Sequence, residues 1–193
     1  FDQKAFARFV LKDFDKLELK ERSNKIVEGM AKYLPGDFPI AAKIMLASLN
    51  PDPPDDPYEI KVSDAGIAGW GIMPMGEYVG LHGQQDFDLS MTLLKEMTSR
   101  FTSESAIRHF FIANPRKTLK AIKPWTKDKN RHVRRLVSEG SRPLLPWSPK
   151  IQAFVEDPSL ILPLLEALRH DGEEYVRRSV ANNLNDIAKH HPD

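Results

Sequence analysis

Cysteine is absent from all 193 residues. That excludes a disulfide framework, a thiol nucleophile and a cysteine-ligated zinc site together, and it accords with a reducing cytoplasm. Long apolar runs are lacking too: each hydrophobic stretch is broken by charge or proline well short of the ~20 residues that a membrane span needs, so no membrane partner is expected. Six histidines are present, yet none stands in a His-Glu-x-x-His spacing, and His190-His191 reads as a solvated terminus. No phosphate-cradling glycine-rich loop, Gly-x-Ser-x-Gly elbow or dinucleotide fingerprint occurs, so neither a metal nor an organic cofactor is expected. No basic-plus-apolar signal peptide opens the chain, which begins at Phe1 rather than Met.

What is present is the composition of an ordinary water-soluble globule, 41% hydrophobic and 28% charged. The net charge of +1 hides a division along the chain. Residues 1 to 100 carry 12 basic and 16 acidic side chains, and the remainder 16 and 11. Between 116 and 135 the bias sharpens to nine basic residues, among them Lys129, Arg131, Arg134 and Arg135, against Asp128 alone. That is the footprint of a polyanion-binding surface.

Apolar spacing predicts two amphipathic helices over residues 3 to 34, with Phe6, Phe9 and Val10 on one stripe and Leu19, Ile26, Val27 and Met30 on another. Pro35-Gly36-Asp37 stops the second, and Phe38 to Leu49 supplies a third. The run NPDPPDDP from Asn50 to Pro57 must be a loop, because proline removes donors and restricts the residue before it. Glycines and prolines through Gly83 predict short helices and turns, before a clear helix from Phe87 to Phe101 capped near Asp86 or Asp88.

The second half repeats. Sliding HVRR at 132 to 135 onto YVRR at 175 to 178 gives an offset of 43, and at that offset Leu119 meets Leu162, Ile122 Leu165, Asp128 Asp171, Val133 Val176 and Val137 Val180. A period of about 40–47 with two helices per unit is the HEAT pattern. The expected architecture is all-α: a single HEAT-like domain over 1–193, an α-α superhelical solenoid with a concave basic cleft. SESAIRHFF at 103 to 111 has the look of an earlier repeat's second helix. Arg135, Glu139 and Arg142, at i, i+4 and i+7, should share one face, and Arg178, Asn182 and Asp186, at i, i+4 and i+8, the corresponding one. Glu104 and Arg108 read as a further i,i+4 pair. Arg142, Arg178, Arg134, Lys129, Arg131 and Asn182 are candidates for contacts to nucleic acid. The ordinary reading of such pairs is exposed ion pairing worth a few tenths of a kcal/mol. Yet carboxylates facing a polyanion repel it by ~1 kcal/mol or more each, so Glu104, Glu139 and Asp186 need a reason to stand there. Trp70, Trp125 and Trp147 read first as core, but a tryptophan beside a proline-rich loop can also stack on a cationic base, and Trp147 in RPLLPWSP fits that best.

The strings RFTSESAIRHFF, HVRRLVSEGSRPLLPW and YVRRSVANNLNDIAKHHPD, with PMGEYVGLHG upstream, resemble the AlkC branch of the AlkC/AlkD family of HEAT-like DNA glycosylases. The resemblance implies hydrolysis of the N-glycosidic bond of cationic methylated bases such as 3-methyladenine in base excision repair. It implies Glu104, Glu139 and Asp186 as active-site acids, Arg135 as a cleft arginine and Trp147 as the aromatic contact. It further implies a monomer acting on duplex DNA containing alkylated bases in a bacterial cytoplasm, at the nucleoid. Ser105 and His109 depart from the pattern, where an aromatic or apolar residue and a proline are expected. Similar proteins continue with further helices, some with an immunoglobulin-like domain, so truncation is expected at the C-terminus and by a few residues at the N-terminus. The rival expectations are a non-catalytic HEAT-like binder of bent or branched DNA and a protein-binding scaffold.

Overall fold

In a computed structural model, which describes residues 1–52 and 64–192, the chain divides into two compact units, Phe1–Phe101 and Thr102–Asp193. Pro53 to Pro57 of the proline-rich run lie outside the described residues.

The first unit holds α1 (Gln3–Leu11), α2 (Leu19–Tyr33), α3 (Phe38–Ser48), α4 (Ile72–His82) and α5 (Phe87–Thr98). Local chemistry starts them: Asp2 accepts from the Ala5 amide and Asp37 from the Ile40 amide, each at 3.0 Å, satisfying donors that a helix N-terminus leaves open. Val10, Val27 and Met30 are buried where the apolar stripes predict, and Gly29 lets α1 and α2 close up, since an added Cβ would stand 2.8 Å from Val10 Cγ2. Leu19 is the exception. It is the first residue of α2 and is exposed. The expected short turns before Gly83 include an eleven-residue helix, α4, whose Ile72, Met75 and Val79 enter the core.

The second unit is the repeat. It comprises α6 (Ile107–Ala113), α7 (Pro115–Ile122), α8 (Arg131–Gly140), α9 (Gln152–Glu156), α10 (Leu162–Leu168) and α11 (Glu174–Ala188). Its core gathers Ile107, Phe110, Phe111, Ile122, Leu136, Ile151 and Phe154, all buried. The turn ahead of α8 and the turn ahead of α11 are built alike. Asp128 Oδ1 accepts from the Asn130 amide at 2.8 Å, and Asp171 Oδ1 from the Glu173 amide at 2.9 Å. The first arginine of each RR pair then grips its own turn: Arg134 Nη1 donates to the carbonyls of Asp128 and Lys129 at 2.8 and 3.2 Å, and Arg177 Nη1 to those of Asp171 and Gly172 at 2.6 and 3.0 Å. The 43-residue offset in the sequence is therefore the spacing of one physical device used twice.

Candidate active site

Helices α8 and α11, the second helices of consecutive repeats, face each other with polar stripes. On the α8 side the stripe is Arg135 and Glu139 of the helix and Arg142 just past its end; on α11 it is Ser179, Asn183 and Asp186, again at i, i+4 and i+7. Both stripes run in the same direction along the seam. Ser179 Oγ donates to Glu139 Oε2 at 2.6 Å, Asn183 Nδ2 to the Ser138 carbonyl at 2.7 Å, and Arg142 Nε to Asp186 Oδ2 at 2.9 Å. The expectation of Arg178, Asn182 and Asp186 as one face is corrected. A spacing of i+8 rotates roughly 80° away from the starting residue, whereas i+7 returns within about 20° of it. Arg178 accordingly lies exposed, paired with Glu174 at 2.7 Å, and Asn182 is half-buried beside the stripe rather than in it.

The seam carries a line of alternating charge. Glu104 Oε2 accepts from Thr102 Oγ1 at 2.7 Å and from Arg135 Nη1. Arg135 reaches on to Glu139 Oε1 at 3.6 Å, with its guanidinium 5.2 Å from the centre of the Tyr175 ring. Glu139 Oε1 accepts from Arg142 Nη1 at 2.7 Å, and Asp186 Oδ1 from Lys189 Nζ at 3.1 Å. The three carboxylates differ in access: their side chains are 20%, 6% and 2% exposed for Glu104, Glu139 and Asp186. Burial alone would raise the Asp186 carboxyl, but hydrogen bonds from Arg142 and Lys189 hold it below its ordinary value. Burial likewise pulls the Arg142 guanidinium down, and its bonds to Asp186 and Glu139 more than reverse this. Asp186 is thus kept as an anion at a buried position that would otherwise favour its neutral form.

Glu104 belongs to the turn ahead of α6 and not to the helix, so the expected Glu104–Arg108 helix pair does not form. Arg108 is instead wholly buried with all five N–H donors on backbone carbonyls. Nε donates to Pro149 at 2.7 Å, Nη1 to Gly140 at 3.2 Å and Arg142 at 2.6 Å, and Nη2 to Pro143 at 3.2 Å and Pro149 at 2.5 Å. Desolvation, and then repulsion from Arg142, lower its pKa to about 10, while Asp186, Glu104 and Glu139 act in the opposite sense. It remains a cation at neutral pH. The loop it holds carries Trp147, 89% exposed and in the left-handed backbone region at φ +61. Ser105 Oγ, next to Glu104, shares a hydrogen bond of 2.7 Å with Ser148 Oγ, next to Trp147. The serine at position 105 therefore ties the exposed tryptophan's loop to the turn that bears the outermost carboxylate.

Of the other sequence candidates, Arg134 is spent on architecture, its Nε and Nη2 gripping Asp171 at 2.6 and 3.0 Å across to the next repeat. Arg131 approaches Glu173 at 3.7 Å, and Lys129 is exposed. Trp125 is core, and Trp70 packs on Phe101 with ring centres 4.9 Å apart. Sequence reasoning passed over Thr102, Tyr175, Ser179, Asn183 and Lys189, and read Arg108 only as the helix partner of Glu104. The i, i+4, i+7 rule applied to α11 would have found Ser179 and Asn183; nothing local marks Arg108. Among the described residues no group of His, Asp and Glu is arranged to hold a metal ion, and no helix is long and apolar enough to cross a membrane.

Residues 89–193 match the family described as DNA alkylation repair enzyme. The chain is 39% identical over 182 residues to the uncharacterised protein YhaZ of Bacillus subtilis, covering 94% of this chain and 47% of that one. It superposes with a TM-score of 0.85 and 36% identity on the Pseudomonas fluorescens alkylpurine DNA glycosylase AlkC, whose structure holds DNA containing an abasic site analog. That likeness covers 100% of this chain and 50% of AlkC, so the chain spans about half the length of the relatives it matches. The all-helical repeat fold expected from the sequence is the fold of that enzyme.

Proposed function

The chain belongs to the DNA alkylation repair enzyme family, and from that premise we propose that it serves a DNA glycosylase that removes cationic methylated bases, 3-methyladenine among them, from duplex DNA. The observation that supports this best is the convergence of Glu104, Glu139 and Asp186 in one arginine-laced seam, with Trp147 standing exposed beside it.

A methylated base already carries a positive charge and needs no acid to leave. The C1′–N bond breaks with its electron pair going to the base, which departs neutral, and the deoxyribose becomes an electron-poor oxocarbenium ion. A water then adds to C1′ and gives up a proton. The barrier that the protein must lower is charge development on the sugar. A carboxylate ~4 Å away at an effective dielectric of ~20 contributes ~4 kcal/mol, about a thousandfold in rate. Glu139 is proposed as the main stabiliser of that cation and as an acceptor for the attacking water, and Glu104, the most accessible of the three, as its partner. Asp186 assists from behind Arg142. Trp147 offers its face to the cationic base, which gains a cation–π contribution. Arg135, Arg142, Lys129 and Arg131 supply positive charge toward phosphates.

The decisive experiment is incubation with methylated duplex DNA and chromatography of the free bases. Glu139→Gln should slow release by about a hundredfold, the scale of a lost electrostatic contact. Unchanged release in that variant rejects the assigned role. Salt-sensitive binding with no base released by the wild type favours a non-catalytic DNA binder, and absence of DNA binding at moderate salt favours a protein scaffold.

A further inference from the structure

We propose that Arg108 is a positioning residue: it locks the 140–149 loop so that Trp147 is presented at a fixed place beside Glu104. The proposal rests on reading Trp147 as a contact to the damaged base.

The loop has ties of its own, the Ser148 amide donating to the Leu145 carbonyl at 3.4 Å and the Ile151 amide to the Pro143 carbonyl at 3.2 Å, both long. Prolines at 143, 146 and 149 remove three backbone donors from it, and the last carbonyls of α8 have no helical partner to follow. Arg108 supplies the missing donors from α6. Its planar guanidinium ties Gly140, Arg142 and Pro143 on one side of Trp147 and Pro149 on the other. No other side chain type offers five donors in a rigid fork, so the site is specific for arginine. Burial and the neighbouring Arg142 work against the cation, and the Gly140 carbonyl at the C-terminal end of α8, with its partial negative charge, works for it.

Trp147 depends on this clamp more than a packed residue would. At 89% exposure almost nothing touches its ring, and its backbone occupies the left-handed region that a tryptophan adopts only when its surroundings impose it. Whatever fixes the loop backbone therefore fixes the point from which the indole projects. The Ser105–Ser148 bond adds a second tie from the same segment that carries Glu104. Tryptophan and carboxylate are thus registered to each other through the segment 104–108, and the arginine at its end touches neither.

The test uses the full chain labelled with 5-fluorotryptophan, its three fluorine resonances assigned by their loss in Trp70→Phe, Trp125→Phe and Trp147→Phe. Arg108→Lys keeps the charge but offers three donors from one point; Arg108→Gln removes the charge. The expected result is that the Trp147 resonance shifts or broadens in Arg108→Lys while that of buried Trp125 stays. On methylated duplex DNA the same variant should release base about tenfold more slowly, as misplacement of a positioning group does. That loss should vanish when Arg108→Lys is made in a Trp147→Ala background. A Trp147 resonance unmoved in both variants overturns the proposal, and so do three resonances moving together in Arg108→Lys, or rate losses that multiply in the double variant. If the wild type releases no base, the glycosylase reading falls by itself, and the fluorine spectra still decide whether Arg108 sets Trp147.

Discussion

Arg142 Nε and Asp186 Oδ2 meet at 2.9 Å across the seam between α8 and α11, with both partners nearly buried. The same guanidinium holds Glu139 at 2.7 Å, so one arginine sets two of the three acids. Asp186→Asn leaves this cation short of a charge partner inside the protein, which should cost about 2–4 kcal/mol of stability. Base release should fall with it, because Arg142 is then free to move Glu139. Urea denaturation and base release on the same preparation check both. A variant as stable as wild type would mean that the pair contributes nothing across the seam.

Trp147 separates stability from function. Its side chain buries almost nothing, and its φ of +61 strains a tryptophan where it would not strain glycine. Trp147→Gly should therefore melt at or slightly above the wild-type temperature, with relief on the order of 1 kcal/mol, while losing most base release. Loss of both properties would show that the indole packs against something in solution.

Gly140 sits at the end of α8 tight against Ile107 of α6. An added Cβ would stand 2.6 Å from Ile107 Cγ2 and 3.8 Å from the Glu104 carbonyl, so one of the helices must yield. Gly140→Ala should cost about 1–3 kcal/mol, the scale of an overpacked core. It should also lower base release, since the segments on the two sides of this contact carry Glu139 and Glu104 respectively. Melting followed by circular dichroism, alongside the release assay, reads both effects.

Much of this was legible in the chain itself, for a physical reason. Helices with a buried stripe announce themselves by spacing, and the Asp128/Asp171 turns recur because the same arginine device holds each. The convergence of Glu104 with Glu139 was not legible from spacing, since Glu104 comes from a turn and reaches Arg135 over 31 residues. Arg108 was misread for the same reason. An i,i+4 carboxylate suggested a surface pair, and no local pattern tells that backbone carbonyls 32 to 41 residues away need donors. Arg178 and Asp186 were grouped by an i+8 spacing that drifts around the helix, and the exposure of one and burial of the other follow from that drift.

The last prediction concerns acid. Arg134 holds Asp171 through two hydrogen bonds, and these, against the opposing effect of burial, keep the Asp171 carboxyl below its ordinary value of 3.8. A carboxyl depressed in the folded state adds stability that is present in full above its unfolded pKa and is lost as pH falls through the folded one. Asp171→Asn removes that contribution at every pH. The variant should be less stable than wild type by about 1–2 kcal/mol at pH 7, and the two should converge as pH drops below about 4. Raising ionic strength should change the gap little, because a two-point arginine–carboxylate pair with both side chains largely covered is poorly screened. Thermal melts of both proteins from pH 7 to pH 3 read the result. A gap that stays constant into acid would mean that the aspartate works here through its hydrogen bonds to the Glu173 amide and the turn, and not through its charge on Arg134.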